Sequence, residues 1–358
     1  MAYTTIDDPS EYFHTRLYSG NGSTQSITNN ANAGNFKPDW LWIKERTSTS
    51  QNFLFDSNRG VGRYLHSDST SPEGNDVHQT SFDTNGFGIG QQNGTNENSQ
   101  TYVAWQWKAN GGTTSSNSDG GITSTVQANT TAGFSIVTWT GNGSQTNIGH
   151  GLGTTPEMIW IKNRSDNENW WVGCSAAGTI GDGKHLFLNK TDALATNNTS
   201  FINADPTSTV FDVGGSSSTD NMINGSSDNM LAYCFTSIKG YSKIGSYIGN
   251  GSSDGTFVYT GFAPAWLMVK RSDGSNDWVI FDNKRTPSNV IRKYLYANSS
   301  TQEDSASAGF SNMVDFVSNG FKLRNTFNNS NGSGVSIIYM AFAEHPFVSS
   351  KGVPVTAR

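Results

Sequence analysis

The chain has 358 residues, a formal charge of −6 and only 15% charged residues, with 39 glycines, ten tryptophans and twenty phenylalanines. That length predicts more than one compact core, and 34% apolar residues with 12% aromatics excludes a disordered chain. No lysine or arginine cluster offers a footprint for a phosphate backbone, no apolar run approaches membrane-spanning length, and the two cysteines make no disulfide framework.

In chain order, the acidic opening "MAYTTIDDPSEYF" lacks the apolar run of a signal peptide. It reads as a docking arm over residues 1–16. From there the same series of short elements occurs three times. Each series contains a Gly-Asn-Gly-Ser core, at Gly20 to Ser23, Gly141 to Ser144 and Gly249 to Ser252. A proline and a continuous apolar run ending in lysine follow: "KPDWLWIK" to Lys44, "TPEMIWIK" to Lys162 and "APAWLMVK" to Lys270. Next come "NFLFDSNRG", "WVGCSAAG" and "WVIFDNKR", then "GRYLHSDS", "GKHLFLNKT" and "RKYLYANSS". "TNGFGIG", "STVFDVG" and "SNGFKLR" lead to the closing "YVAWQWK", "MLAYCFT" and "YMAFAEH", aligned on Ala104, Ala232 and Ala341.

Runs of four to seven β-branched or aromatic residues bounded by Gly, Asn, Ser or Pro are strand signals, and no long 3.6-residue stripe competes with them. The expected fold is all-β: three tandem antiparallel β-sandwich modules of jelly-roll or lectin-like type, over 17–110, 132–240 and 241–346. The Gly/Ser/Thr/Asn-rich stretch 111–131 reads as a flexible linker and 347–358 as a tail. Modules two and three would pack as a unit, with module one apart. A pseudo-threefold arrangement of the three is an open alternative. The continuously apolar run after each proline fits a strand covered on both faces. Gly-Asn-Gly-Ser reads as a turn of the hairpin type, recurring because the module recurs, since no helix follows to make a phosphate site.

The search for chemistry returns little. Six histidines show no metal spacing, and nucleophile elbows, Walker loops and calcium loops are absent from the sequence. Metal sites, cofactors and catalytic residues are therefore not expected. Asp56 and Asp282 occupy equivalent places, each three residues before an arginine, Arg59 and Arg285; module two has Ser175 there. A hydrolytic acid would need a second carboxylate facing the same substrate, so a turn-stabilising pair is the expectation. The three lysines are expected to snorkel from a sheet edge. Cys174, aligned with Phe55 and Phe281, and Cys234, aligned with Gln106 and Ala343, are expected reduced and unbridged. Trp171 aligns with Trp278, and Trp139 with Tyr18 and Tyr247. Trp170 then falls opposite Gln51 and Asp277, which makes it the candidate exposed aromatic: a sugar-stacking or intersubunit residue, unless the neighbouring module covers it. The sequons at Asn142, Asn189, Asn198, Asn250 and Asn298 are expected by chance in so Asn- and Ser-rich a chain.

The segments "LYSGNGSTQSI", "PEMIWIKNRS", "KYLYANSS", "SNGFKLR" and "YMAFAEHPF" resemble a repeat of virion proteins from marine bacteriophages of the cyanophage type. The resemblance covers nearly the whole chain. It implies a non-enzymatic virion protein assembled in the host cytoplasm: a tail fibre or tail-tip component engaged in host attachment or, alternatively, a capsid decoration or tail-assembly protein. The implied partners are other virion subunits, a host-surface glycan or protein receptor, and further copies of the chain. Nucleic acid and membrane insertion are not implied. The family supplies no catalytic residues to carry over.

Overall fold

A computed structural model describes residues 3–30, 35–178, 180–196, 202, 204–214, 223–305 and 312–354. The fold is all-β and antiparallel, of the sandwich type. The first repeat comprises β1 (Phe13–Ser19), β2 (Gln25–Thr28), β3 (Trp40–Glu45), β4 (Phe53–Asp56), β5 (Arg63–His66), β6 (Gly74–Asn75), β7 (Gln79–Asp83), β8 (Gly86–Ile89) and β9 (Thr101–Trp107). The second comprises β10 (Ser115–Asn117), β11 (Ser124–Asn129), β12 (Phe134–Thr140), β13 (Thr146–Gly149), β14 (Met158–Asn163), β15 (Trp171–Cys174), β16 (Leu186–Phe187), β17 (Val210–Val213) and β18 (Asn229–Phe235). The third comprises β19 (Ser242–Ile248), β20 (Phe257–Tyr259), β21 (Phe262–Arg271), β22 (Trp278–Asp282), β23 (Lys293–Tyr296), β24 (Asp304–Ser305), β25 (Val314–Val317), β26 (Gly320–Leu323) and β27 (Ser336–Pro346).

One strand order recurs. The large sheets run β1-β9-β3-β4-β5-β6, β12-β18-β14-β15-β16 and β19-β27-β21-β22-β23-β24, and the second gains β11 and β10 beyond β12. The small sheets are β2-β8-β7, β13-β17 and β20-β26-β25. In each repeat the run after the proline is central, and its alternation serves two cores. Leu41 and Ile43 of β3 face the small sheet of their own repeat. Trp40 and Trp42 face a core that all three large sheets share. That shared core brings together Trp105, Trp107, Phe134, Trp160, Tyr233, Phe235, Trp266, Met340 and Phe342. Across repeats, Trp40 lies 4.7 Å from Tyr233 and Trp107 lies 5.6 Å from Trp266, centroid to centroid.

Several expectations from the sequence are corrected here. The first repeat does not sit apart; its tryptophans form the middle of the shared core. Residues 111–131 are no free linker, because they carry β10 and β11, and β11 zips along β12 from Asn129↔Phe134 to Thr125↔Thr138. Glycine and serine content misled there, since Val126 and Gln127 alternate onto a covered edge. Nor is the arm free: β1 begins at Phe13, Ile6 and Phe13 are in the shared core, and Tyr3 donates to Gly261 O at 2.9 Å. Within 347–358, Ser350 N donates to Asp7 at 2.6 Å, which ties the two ends of the chain together. Residues 1–2 and 355–358 lie outside the described residues, as does Asn198.

The Gly-Asn-Gly-Ser loops are turns but not hairpins, since each leads from a large sheet to a small one. A buried asparagine, Asn96, Asn224 or Asn331, donates its side-chain amide into each loop, to Ser23 O, Ser144 O and Ser252 O. A Cβ on the first glycine would lie 2.1–2.2 Å from a backbone carbonyl, and the second glycine has a φ of 63–70°. Both positions therefore demand glycine. Register also shifts two of the repeat alignments. Asp56, Cys174 and Asp282 pair with Trp40, Met158 and Trp266, so Cys174 rather than Ser175 matches the aspartates. Tyr339, not Ala341, matches Ala104 and Ala232.

Candidate functional site

The residues singled out in the sequence converge on the three seams between repeats, which follow one cyclic plan. The position after the second element's loop is Asn52, Trp170 or Trp278. Each reaches back to a main-chain carbonyl of the neighbouring repeat: Asn52 Nδ2 to Tyr296 O at 3.2 Å, Trp170 Nε1 to His66 O at 2.8 Å, Trp278 Nε1 to Phe187 O at 2.9 Å. Trp170 is therefore not exposed; it is fully buried and parallel to the Tyr233 ring. The one-residue register error had placed it opposite polar residues. Its true counterpart is Trp278, and the neighbouring repeat covers both.

The lysines do not snorkel either. Lys44, Lys162 and Lys270 are buried, because the next repeat lies over the sheet edge they close. Their amines donate to carbonyls across the seam: Ser300 O at 3.1 Å, Thr70 O at 3.0 Å and Thr191 O at 3.0 Å. Lys162 also reaches Asn163 O and Glu168 O at 2.8 and 2.9 Å. Burial lowers the amine pKa to about 7 for Lys162 and about 8 for Lys44 and Lys270.

Beside the lysines, two seams are ionic. Asp56 holds Arg59, which donates to Glu73 at 3.1 Å, and Glu73 accepts both nitrogens of a fork from Arg164 of the next repeat at 2.8 Å. Tyr233 of that repeat donates to Asp56 at 2.7 Å. The seam between the third and first repeats copies this with Asp282, Arg285, Glu303 and Arg46, whose fork bonds are 2.9 Å, and Trp105 Nε1 donates to Asp282 at 3.0 Å. Arg59 and Arg164 hold the Glu73 carboxyl down at about 2, although partial burial opposes them. At the seam between the second and third repeats, Cys174, Ala177 and Leu194 stand in the places of aspartate, arginine and glutamate. Cys174 lies in the shared core with Met340, and Ala177 and Leu194, partly buried, pack against that core. The device is ionic twice and apolar once.

Chemically, this arrangement fastens repeats together. Asp56, Asp282, Arg59 and Arg285 have fully buried side chains. The oxygens of Glu73 are taken by Arg59, Arg63 and Arg164. Both cysteines are free and buried, and burial raises the Cys174 thiol to about 12. Among the described residues no three metal-ligating side chains gather, and no helix is long and apolar enough to cross a membrane. Sequence reasoning missed Glu73, Glu303, Arg46 and Arg164. Their signal was recurrence at a fixed offset: the arginines stand two residues after Lys44 and Lys162, and the glutamates seven after His66 and Tyr296, the last residues of β5 and β23.

The profile of a family described as a domain of unknown function, DUF7483, matches residues 8–346. The chain belongs to this family. The DUF7483 match runs from the 3-10 turn at Pro9–Glu11 to the end of β27, across all three strand sets. A search of curated proteins finds no match to this DUF7483 member. Among solved structures it is similar to the major capsid protein P2 from Bacteriophage PM2, with 12% identity, a TM-score of 0.17, and coverage of 58% of this chain and 96% of that one.

Proposed function

We infer that this chain is a non-enzymatic structural protein of a phage particle, a compact building block such as a capsid decoration or tail-assembly subunit. The observation that carries this reading is the fate of the candidate chemistry: the aspartates, their arginines, the lysines and Trp170 are all consumed in fastening repeats. The resemblance of the repeats to marine phage virion proteins supplies the particle, and the three strand sets around one core supply the block. The partners are neighbouring virion subunits, and the site of action is the virion. Host attachment as a tail fibre or tail-tip component is the second reading; it loses Trp170, and an exposed aromatic strand described below is what keeps it standing. Adsorption competition separates the two. Purified protein added to susceptible cells before virus should leave the count of free virus unchanged; dose-dependent blocking would make attachment the function.

A further inference from the structure

The repeats differ in what covers one equivalent edge. In the second repeat, β11 fills the groove between β12 and the turn after β4. There Asn58 Nδ2 donates to Thr125 O and Ile136 O at 3.1 Å. The residues before β11 continue onto the small sheet, with Ile122 bridging Ile148 of β13 in parallel. Ile122 N meets Asn147 O at 3.4 Å and Ser124 Oγ donates to Gly149 O at 2.7 Å, so both outward carbonyls of β13 are satisfied. Gly120 and Gly121 permit that approach, since a Cβ on either would come within 2.4 Å of Asn147 O or Thr146 Oγ1.

At the seam between the second and third repeats Ser237 and Ile238 take the place of β11 beside Ile244 and Ser242, and the corresponding groove stands open beyond them, beside Ser246 to Ile248. It measures about 430 Å³ and has a mixed lining, apolar at Ala177, Leu194 and Ile248 and polar at Ser272, Asp273 and Ser336, with Ala176 where Asn58 stands in the first repeat. Beyond it lies β20, the counterpart of β13. Leu323 N donates to Thr256 O and Thr260 N to Asn319 O, both at 3.0 Å, so Thr256 and Thr260 turn towards β26. By antiparallel alternation, Phe257 and Tyr259 direct their N–H and C=O groups to the other side. Among the described residues no strand pairs there. Ile248, Phe257 and Tyr259 are 57, 46 and 54% exposed. The counterparts of Phe257 and Tyr259 in the first repeat are Ser26 and Thr28. The groove at that repeat's own seam is narrower, about 220 Å³, and is lined by His14, Arg16 and Lys284.

We propose that the groove beside Ile248 and the free edge of β20 form a docking site for an extended strand of a different polypeptide, laid as residues 120–125 lie on the second repeat. The occupant carries two adjacent glycines at Thr256 and Phe257, where the backbone geometry of Thr146 and Asn147 recurs, followed by a β-branched residue. It then meets the edge of β19 at Ser246 and stops there, because Ile244 N–H already donates to Ser237 Oγ and Ser242 exchanges main-chain bonds with Ile238. Main-chain bonds provide affinity, and the exposed Ile248, Phe257 and Tyr259 side chains favour apolar residues in the occupant. The proposal stands apart from the particle reading, since it needs only the purified chain.

The test titrates the full chain with a labelled peptide of residues 113–130, which carries the native capping sequence. Saturable binding with Kd below about 100 µM is expected. Ile248→Asp with Phe257→Asp, both at exposed positions, should weaken it at least about tenfold. Ser26→Asp with Thr28→Asp should leave it unchanged, and a peptide with Gly120→Val and Gly121→Val should not bind. Three results overturn the proposal: no saturation by about 1 mM, equal affinity in the Ile248/Phe257 variant, or dimers of the chain alone that this variant disperses, which would make a second copy the occupant.

Discussion

At the scale of single residues, Trp170 shows how a seam side chain differs from a binding residue. Its ring fills the shared core and its N–H satisfies His66 O, so Trp170→Ala should cost about 3–5 kcal/mol in urea unfolding. Trp170→Phe, which keeps most of the volume and drops the hydrogen bond, should cost about 1–2 kcal/mol. Equal stability of the alanine variant and the parent would contradict the seam assignment. Cys174→Asp is a sharper probe. It places a carboxylate where Asp56 and Asp282 stand, yet Ala177 offers no guanidinium, so a loss of about 3–5 kcal/mol is expected. Lys162 gives a pH signature. Its folded pKa, about 7, lies below the ordinary value of 10.5, so between these limits the unfolded chain binds the extra proton. Stability should therefore rise as pH climbs from 7 to 10, and Lys162→Met should flatten that rise; falling stability across this window in the parent chain would count against the buried amine.

Among elements, the seams carry the argument. Glu73 sits at about 2 when folded against 4.5 for an unperturbed glutamate, and Glu303 is lowered in the same way. A depressed carboxylate stabilises fully above its unfolded pKa and loses that contribution as pH falls through the folded one. Acid should thus loosen the Glu73 seam between pH 4.5 and 2 and the Glu303 seam as pH falls below 4.5, while the apolar seam of Cys174 and Leu194 keeps its contacts. Glu73→Gln should lower stability at pH 7 by about 2 kcal/mol after allowance for solvent screening, and should make the acid transition shallower. A variant with the parent's pH profile would show that the cluster does not hold the first repeat to the second. The strands themselves were legible, because each is a short apolar run punctuated by glycine or asparagine. The post-proline run announced by its unbroken apolarity that both faces are covered. What covers the second face was not legible. A strand sequence records that a side chain is buried, not by which repeat, and a shift of one residue was enough to set Trp170 against Gln51 and Asp277. Likewise β11 was hidden because its Gly/Ser/Thr/Asn composition matches a linker, and only pairing with β12 reveals the alternation of Val126 and Gln127.

For the whole molecule, the three repeats cannot be separate bodies while their tryptophans share one core. Unfolding should be a single cooperative transition by calorimetry, with calorimetric and van't Hoff enthalpies in agreement. Removing residues 1–11 should lower the midpoint, since Ile6 leaves the shared core and Tyr3 leaves Gly261. Such fusion explains what repeats: the residues that recur most faithfully, the lysines and the Gly-Asn-Gly-Ser loops with their buried asparagines, recur because the repeats must fasten to one another. The same fusion makes differences between repeats informative, and the open edge of β20 is one of them. The most direct measurement for the functional claim is quantitative mass spectrometry of density-purified virus particles, with and without a salt and detergent wash. The account predicts this chain at a fixed, integral copy number per particle that survives washing. Its absence from washed particles, with the protein recovered only in the lysate, would contradict the structural role.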